Sequence, residues 1–334
     1  MMLQLVTVGL VLTQVLANPQ IYDSAASKKF LSQSFEMPKY MSEPLNNRPL
    51  IGVLTQPLSD SQKADPAYAG KSSYIMASYI HYLESAGART VPLIYDGDLD
   101  TELAKIDKLN GVFYCGGGAE GDYDVFGKKV FLKVKQMNDD GNHMPIWGTC
   151  LGFQDLAMYS ADNSNSILES FPADDNMSNL KFLVDPKTTK MFSILGADAN
   201  VFENYNITYN HHNWGVSPDK FKTDKGLSSI FYPTSISKDN NGKSYVSSME
   251  SNQYPFFATQ FHPEKAQFVF YPKTQIDHST TAIFYNRYFS DFFVNQCKLN
   301  NNNFASFEEE QSLITENYKA VVSAGYDGID YAFP

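Results

Sequence analysis

A cysteine between two glycines is the first group in this sequence that could do covalent chemistry. Residues 148–152 read Gly-Thr-Cys-Leu-Gly; they follow an apolar run that ends at Trp147 and precede a helix-like run over residues 153–159. This order is typical of a nucleophile elbow, whose glycines let a strand turn sharply into a helix without Cβ clashes. The elbow would expose Cys150 at a helix N-terminus, where the helix dipole favours a thiolate. We therefore predict that Cys150 is a nucleophile.

A histidine and a glutamate further along the chain could assist this cysteine. His262 and Glu264 follow the apolar, strand-like residues 256–261 and are separated only by a proline. Positions i and i+2 of an extended segment face the same way, so both side chains would point together. His262 could then take the thiol proton while Glu264 orients the imidazole. Taken alone, the two residues could equally be a loop-capping histidine and a solvated carboxylate, but beside Cys150 we favour the catalytic interpretation.

Three consecutive glycines end the predicted strand of residues 111–115. A glycine turn at the carboxyl edge of a sheet can direct backbone N–H groups into a site. The amides of Gly117 and Gly118, with the N–H of Leu151, would form an oxyanion hole for a tetrahedral intermediate. A plain turn and a phosphate loop are the alternatives, although the run lacks the lysine of a phosphate loop and does not follow the first strand.

Two adjacent histidines, His211 and His212, could contact a substrate. A loop histidine stacked on Trp214 is an equally good interpretation of the residues alone. On a strand the two rings could not both point to one side. The remaining histidines are scattered, and none of the three cysteines belongs to a CxxC pair. We predict no metal.

Alternating strand-like and helix-like segments must position these residues. The apolar runs that predict strands are residues 50–54, 90–94, 111–115 and 144–147. The segments with helical spacing between them are residues 73–86, 99–109 and 126–137. This alternation predicts an α/β fold with a mostly parallel central sheet and helices on both faces. Shorter β-like segments follow residue 158, and residues 279–297 predict a closing helix.

The composition excludes some partners and suggests a route of export. The 334 residues carry a formal charge of −11 with a pI near 5.0, which disfavours nucleic acid as a partner. Residues 1–17 are uncharged and largely apolar, which predicts a signal peptide, with a buried N-terminal helix as the alternative. No later stretch reaches the roughly 18 apolar residues of a membrane span. We divide the rest into a leader (18–47), a catalytic domain (48–303) and a C-terminal tail (304–334).

Taken together, these motifs resemble the class I glutamine amidotransferase-like superfamily and, more narrowly, the gamma-glutamyl hydrolase family. The narrower resemblance extends from about residue 48 to residue 303, and its motifs are residues 74–79, 82–89, 145–153 and 260–265. Relatives often have Gly-Gly-Ser where this chain has three glycines. The resemblance implies a flavodoxin-like three-layer sandwich and a hydrolase that needs no cofactor or metal.

The resemblance also implies a reaction and a role for each site residue. A cysteine-type hydrolase of this kind cleaves γ-glutamyl bonds of folate and antifolate poly-γ-glutamates through a thioester. Cys150 matches the nucleophile, His262 the general base and Glu264 its support. A substrate-binding histidine two positions before a tryptophan matches His212. Competing hypotheses are another γ-glutamyl amidase or glutaminase on the same fold, and a secreted binding protein without activity.

The remaining expectations concern the surroundings of the protein. The resemblance implies the secretory pathway, with a lysosome, a vacuole or the extracellular space as destination. Two sequons, at Asn176 and Asn206, would then be glycosylation sites, although such tripeptides also arise by chance in an Asn-rich chain. Lys71, Arg89 and Lys265 are candidates for holding a polyanionic substrate. The oligomeric state stays open, a homodimer included.

Overall fold

Short apolar strands and helices alternate along the first half of the chain. The structure is a computed structural model that describes residues 46–162, 164–322 and 328–334, all of them within the compact unit of residues 45–334. The strands in this described part are β1 (Leu50–Leu54), β2 (Gln56–Pro57), β3 (Ser73–Met76), β4 (Arg89–Leu93), β5 (Gly111–Tyr114), β6 (Ile146–Thr149), β7 (Glu169–Ser178), β8 (Lys181–Phe182), β9 (Thr208–Gly215), β10 (Phe231–Lys238), β11 (Ser244–Ser251), β12 (Phe256–Thr259), β13 (Ala320–Val322) and β14 (Ile329–Phe333).

The helices connect these strands and cover the sheet. Those within the same described residues are α1 (Asp60–Ala64), α2 (Ala77–Ser85), α3 (Leu99–Ile106), α4 (Asp122–Asp139), α5 (Leu151–Ser160), α6 (Val201–Asn204), α7 (Lys220–Thr223), α8 (Lys225–Ile230), α9 (Lys265–Phe268), α10 (Thr280–Cys297) and α11 (Phe307–Leu313). Short 3₁₀ turns lie at Pro66–Tyr68, Ser164–Ser166, Pro186–Thr188, Ser193–Asn200 and Thr315–Asn317. The closing helix α10 begins at an N-cap, Ser279, whose side chain accepts from the N–H of Ala282.

The central sheet has the strand order β4-β1-β5-β6-β12-β11-β10-β8. The first five strands of this order are parallel, whereas β11, β10 and β8 each pair antiparallel with the preceding strand of the order. Trp147 of β6 is in register with Phe113 of β5 and Phe257 of β12. The carboxyl ends of these three neighbouring strands therefore meet at one edge, where the chain continues into the glycine turn, the cysteine elbow and the His-Pro-Glu segment.

Helices cover both faces of this sheet, because successive side chains of a strand point to opposite sides. Leu50 and Leu54 of β1 face a core formed with α3, α4 and α5. Ile51 and Val53 of the same strand face a second core formed with α2 and α10. The predicted α/β fold, with a mostly parallel sheet between two helical layers, is confirmed.

One predicted helix is divided in the structure. Residues 73–86 have helical spacing, yet Ser73–Met76 form strand β3, and α2 begins only at Ala77. Strand β3 lies within a second sheet of order β13-β14-β3-β2 and pairs with β14 from the C-terminal end of the chain. The pairing partner supplies backbone hydrogen bonds that a local pattern cannot reveal, and these override the helical spacing.

The segment predicted as a C-terminal tail packs against the main body. Glu310 of α11 forms an ion pair with Arg48 at 2.7 Å, and Thr315 shares a hydrogen bond of 2.9 Å with Thr90 of β4. The predicted signal peptide and nearly all of the leader lie outside the described residues. Among the helices of the described part, none combines the length and the apolar character that crossing a membrane requires.

Candidate active site

The cysteine elbow joins β6 to α5. Cys150 has φ 54° and ψ −100°, a left-handed backbone conformation that non-glycine residues adopt rarely. Its N–H donates to the carbonyl of Thr259 on β12 at 2.9 Å, which ties the elbow to the neighbouring strand. A Cβ on Gly148 would lie 2.5 Å from the carbonyl oxygen of Gly152, and a Cβ on Gly152 would collide with the backbone of Tyr114. The two glycines thus allow strand and helix to approach closely, as the motif predicts.

His262 and Glu264 form a buried pair just beyond β12. His262 Nδ1 lies 2.9 Å from Glu264 Oε1, and both side chains are almost fully buried. The N–H of His262 donates to the carbonyl of Tyr209 on β9, which fixes the backbone of this segment. With Nδ1 bonded to the carboxylate, Nε2 is the ring atom that can exchange a proton.

Cys150 and His262 face the same cavity of about 250 Å³. Its lining consists of Tyr74, Met76, Tyr79, Gly116, Gly117, Cys150, His211, His262 and Lys265. A Cβ on Gly116 would stand 2.6 Å from His262 Cε1 and 3.1 Å from Cys150 Cβ, so only a glycine leaves room between Cys150 and His262. The thiol donates to the carbonyl of His211 at 3.8 Å, and His262 Nε2 has no hydrogen-bond partner among the described residues.

Burial is the main influence on the protonation of Cys150 and His262. Burial raises the pKa of the Cys150 thiol to about 12, although the nearby Lys265 opposes this shift. Burial also lowers the pKa of His262 to about 4; Lys265 adds to this shift and Glu264 opposes it. The cavity without substrate therefore holds a neutral thiol and a neutral imidazole. The thiolate expected at a helix N-terminus is disfavoured in this environment, because desolvation outweighs the opposing effects of Lys265 and the Leu151 N–H.

The glycine turn meets the elbow at the rim of the cavity. The N–H of Gly116 donates to Tyr79 Oη at 3.0 Å, whereas the N–H of Gly117 has no acceptor within the described part of the chain. The N–H of Leu151 is close enough to the Cys150 sulfur to lower the pKa of the thiol. Gly117 lines both the cavity of Cys150 and a neighbouring groove, whereas Gly118 and Leu151 line the groove and not the cavity.

The two histidines lie on strand β9 and point to opposite sides. His211 lines the cavity, and its Nδ1 is 2.5 Å from Asp174 Oδ1. His212 is buried against Tyr245, with ring centroids 4.8 Å apart. Burial lowers the pKa of His212 to about 3, so this ring is neutral. A role of His212 in substrate binding stays a prediction.

The three candidate basic residues lie in different places. Lys265 is buried and lines the same cavity as Cys150 and His262. Arg89 begins β4 at the opposite edge of the sheet, where Glu84 and Glu316 lie 4.0 Å and 2.8 Å from its guanidinium. Lys71 lies in the connection before β3 and does not line the cavity. No group of three or more His, Cys, Asp or Glu side chains in the described ranges has a geometry suited to a metal ion.

Sequence reasoning missed Tyr79 as a site residue. Its hydroxyl oxygen lies 3.3 Å from His262 Nδ1 and accepts the N–H of Gly116, so it connects the base to the glycine turn. In the sequence Tyr79 belongs to the apolar stripe of a helix, where a core position is the natural interpretation. Only the packing of α2 against the sheet edge brings its hydroxyl to the site.

Fold and site together define a cysteine hydrolase of the glutamine amidotransferase class. The family model "Glutamine amidotransferase class-I" matches residues 72–273, which include Cys150, His262 and Glu264. This match agrees with the parallel sheet and the cysteine elbow described above.

Comparison with individual proteins identifies a narrower family within this class. The chain is 36% identical to gamma-glutamyl hydrolase 2 of Arabidopsis thaliana, over 86% of this chain and 82% of the relative. It is 33% identical to gamma-glutamyl hydrolase B of Dictyostelium discoideum, over 82% and 79% of the two chains. The human gamma-glutamyl hydrolase is 30% identical over 86% and 89%. The protein belongs to the gamma-glutamyl hydrolase family.

Proposed function

We propose that this protein hydrolyses γ-glutamyl amide bonds and that folate poly-γ-glutamates are its substrate class. The observation that carries the proposal is the arrangement of Cys150 at a nucleophile elbow with the buried His262–Glu264 pair in the same cavity. The names of its relatives support the γ-glutamyl bond as the target. Folate conjugates follow from the resemblance in the sequence motifs.

The proposed reaction starts with the transfer of the Cys150 proton to His262 Nε2. The sulfur attacks the γ-carbonyl carbon, and the resulting oxyanion accepts hydrogen bonds from the N–H groups of Leu151 and Gly117. The C–N bond then breaks, and His262 returns its proton to the leaving amine, which leaves a thioester. Water attacks the thioester, again with His262 as base, and the free carboxylic acid and thiol are regenerated. Glu264 stabilises the imidazolium that forms in each half of the reaction.

The cavity also carries groups suited to an anionic substrate. Lys265 and His211 both line it, within a protein whose overall charge is −11. A γ-linked glutamate presents a free α-carboxylate next to each scissile bond, and we propose that Lys265 and His211 bind it. The positive charge of Lys265 provides a local attraction that the net charge of the chain would otherwise oppose.

The decisive experiment measures hydrolysis of a pteroyl tri-γ-glutamate by the purified protein at pH 5 and pH 7. Wild type and Cys150→Ala are assayed side by side, with glutamine and a small γ-glutamyl amide as further substrates. Release of glutamate or γ-glutamyl peptides by wild type alone supports the proposal. Cleavage of glutamine or the small amide alone would support an amidase or glutaminase instead, and no cleavage at all would favour a binding protein.

We further propose that the protein enters the secretory pathway and acts in a lysosome, in a vacuole or outside the cell. The uncharged, apolar residues 1–17 support this route. Asn206 is exposed and could carry a glycan without loss of a contact, whereas the Asn176 amide donates to Asn240 Oδ1 at 2.6 Å. Expression in a eukaryotic host tests this proposal, because it predicts a protein without residues 1–17 whose mass falls on glycosidase treatment. A cytosolic protein that retains Met1 would contradict it.

A further inference from the structure

Gln56 packs directly against the glycine turn from the side away from solvent. It is the first residue of β2 and is almost fully buried. Its Nε2 donates to the carbonyl of Gly116 at 3.0 Å and makes a longer hydrogen bond of 3.4 Å to the carbonyl of Cys115. A Cβ on Gly117 would collide with the carboxamide of Gln56. The side chain therefore touches both residues that a peptide unit of the turn joins.

The bond to Gly116 determines where the next amide points. The carbonyl of Gly116 and the N–H of Gly117 belong to one planar peptide unit, and in the trans form they point in opposite directions. The described residues contain no cis peptide bond. Because Gln56 holds the carbonyl, the N–H of Gly117 must face away from Gln56. Gly117 lines both the cavity that contains Cys150 and the neighbouring groove that Leu151 lines.

The preceding peptide unit of the turn has two further partners besides Gln56. The N–H of Gly116 is bound to Tyr79 Oη, and the carbonyl of Cys115 accepts the N–H of Gly152 at 3.2 Å. The amide of Gly116 is thus already engaged. Gly117 borders the cavity, and its N–H has no acceptor in the described ranges.

We infer that Gln56 is a positioning residue that orients the Gly117 amide for the oxyanion. The inference rests on the proposed function and adds a residue to it. A rotated peptide unit would aim the Gly116 carbonyl oxygen at the developing negative charge and leave the buried Gln56 amide without an acceptor. Both effects are unfavourable, so the donor Nε2 selects the productive orientation.

The chemistry of residue 56 gives a direct test. Gln56→Glu keeps the size but replaces the donor with an acceptor, which would attract the Gly117 N–H and favour the rotated peptide. Gln56→Leu removes the bond without that attraction. Gln253→Glu, in the exposed turn between β11 and β12, is the matched control. Each variant is assayed for kcat and KM on a γ-glutamyl substrate and for alkylation of Cys150 by iodoacetamide, which needs no oxyanion hole.

We expect kcat of Gln56→Glu to fall about 10²- to 10³-fold, the usual cost of losing one oxyanion donor. Gln56→Leu should lose less, and KM and the alkylation rate should stay within about threefold of wild type. Affinity for a γ-glutamyl aldehyde, whose thiohemiacetal oxygen occupies the same position, should fall in parallel with kcat.

Three results would overturn the inference. One is a Gln56→Glu variant with wild-type kcat. The second is a variant whose alkylation rate falls as steeply as its kcat, because this would mean that Gln56 supports the whole site. A wild-type protein that turns over no γ-glutamyl substrate would contradict the proposed function itself, and the inference would fall with it.

Discussion

At the scale of single residues, desolvation has the largest effect on the pKa values of Cys150 and His262. Cys150 and His262 are almost fully buried, and both shift toward their neutral forms. Burial alone would raise the pKa of Glu264, but the adjacent His262 holds it below its usual range, so the carboxylate stays ionised. In the proposed reaction, His262 accepts the thiol proton during attack and Glu264 then stabilises the imidazolium.

Glu264→Gln should separate this electrostatic role from simple support of the ring. We expect kcat to fall by about 10³- to 10⁴-fold, because an amide cannot stabilise the imidazolium and favours the wrong tautomer. Wild-type kcat/KM should rise with pH through the pKa of His262 at about 4, since the protonated ring cannot accept the thiol proton. In the variant this acidic limb should move to lower pH, because Glu264 raises the pKa of His262.

The pH profiles of kcat/KM for both proteins measure this shift. Glu308→Gln, an exposed position in α11, is the control for the loss of one negative charge. An acidic limb that stays in place or moves to higher pH would show that Glu264 does not act on His262 through its charge.

At the scale of elements, the site forms where the elbow lies close to strands β5 and β12. Gly148 and Gly152 allow β6, α5 and β5 to touch, and the N–H of Gly152 donates to the carbonyl of Cys115. A second sheet adds β3 to the cavity wall through Tyr74 and Met76. Strand β3 pairs with β2 on one edge and with β14 on the other, so the C-terminal end of the chain supports the wall of the site.

Gly152→Ala should damage the elbow. The added Cβ would meet the backbone of Tyr114, which cannot move without displacing β5. We expect a loss of about 1–3 kcal/mol of the free energy of unfolding and a fall in kcat as Cys150 shifts. Urea denaturation and steady-state kinetics measure the two effects.

Gly118→Ala is the matched control for this change. Nothing lies within 4 Å of the position that its Cβ would occupy, and its backbone amide is kept. Its stability should stay within about 0.5 kcal/mol of wild type. Equal losses in the two variants would show that the elbow has no special need for a glycine.

At the scale of the whole molecule, buried acids couple stability to pH. Asp155 of α5 has no exposed surface; Tyr123 donates to its Oδ2 at 3.3 Å, and its Oδ1 has no hydrogen-bond partner among the described residues. Burial raises its pKa well above the usual value, and Asp124 adds to the shift. Since the folded state then binds more protons than the unfolded state above pH 4, this group makes the fold less stable as pH rises.

Asp155→Asn should remove that dependence. We expect the free energy of unfolding of the variant, relative to wild type, to increase from pH 4 to pH 7.5, with a slope of at most about 1.4 kcal/mol per pH unit. Urea denaturation of both proteins across this range measures the difference in their free energies of unfolding. The buried histidines change stability with pH in the opposite direction, but they are present in both proteins and their contribution cancels in the difference. Asp198→Asn, at an exposed position, is the control. A difference that is constant with pH would mean that Asp155 is ionised in the folded protein.

The sequence by itself determined the features that depend on near neighbours in the chain. The elbow around Cys150 needs only an apolar strand, two glycines and a following helix. His262 and Glu264 are two positions apart, so the sequence predicted that they would pair. The reason given was wrong, because they meet in a turn where Glu264 has a helical backbone conformation, not on an extended segment. The alternation of strands and helices in the first half predicted the parallel sheet, because each β-α-β unit carries its own periodicity.

Only the tertiary structure decided the features that need a distant partner. Residues 73–76 form a strand because β14, far along the chain, pairs with them. Tyr79 and Gln56 join the site because packing brings α2 and β2 to the edge that carries the glycine turn. The protonation of Cys150 depends on its burial, and burial is a property of the assembled molecule that no local pattern contains.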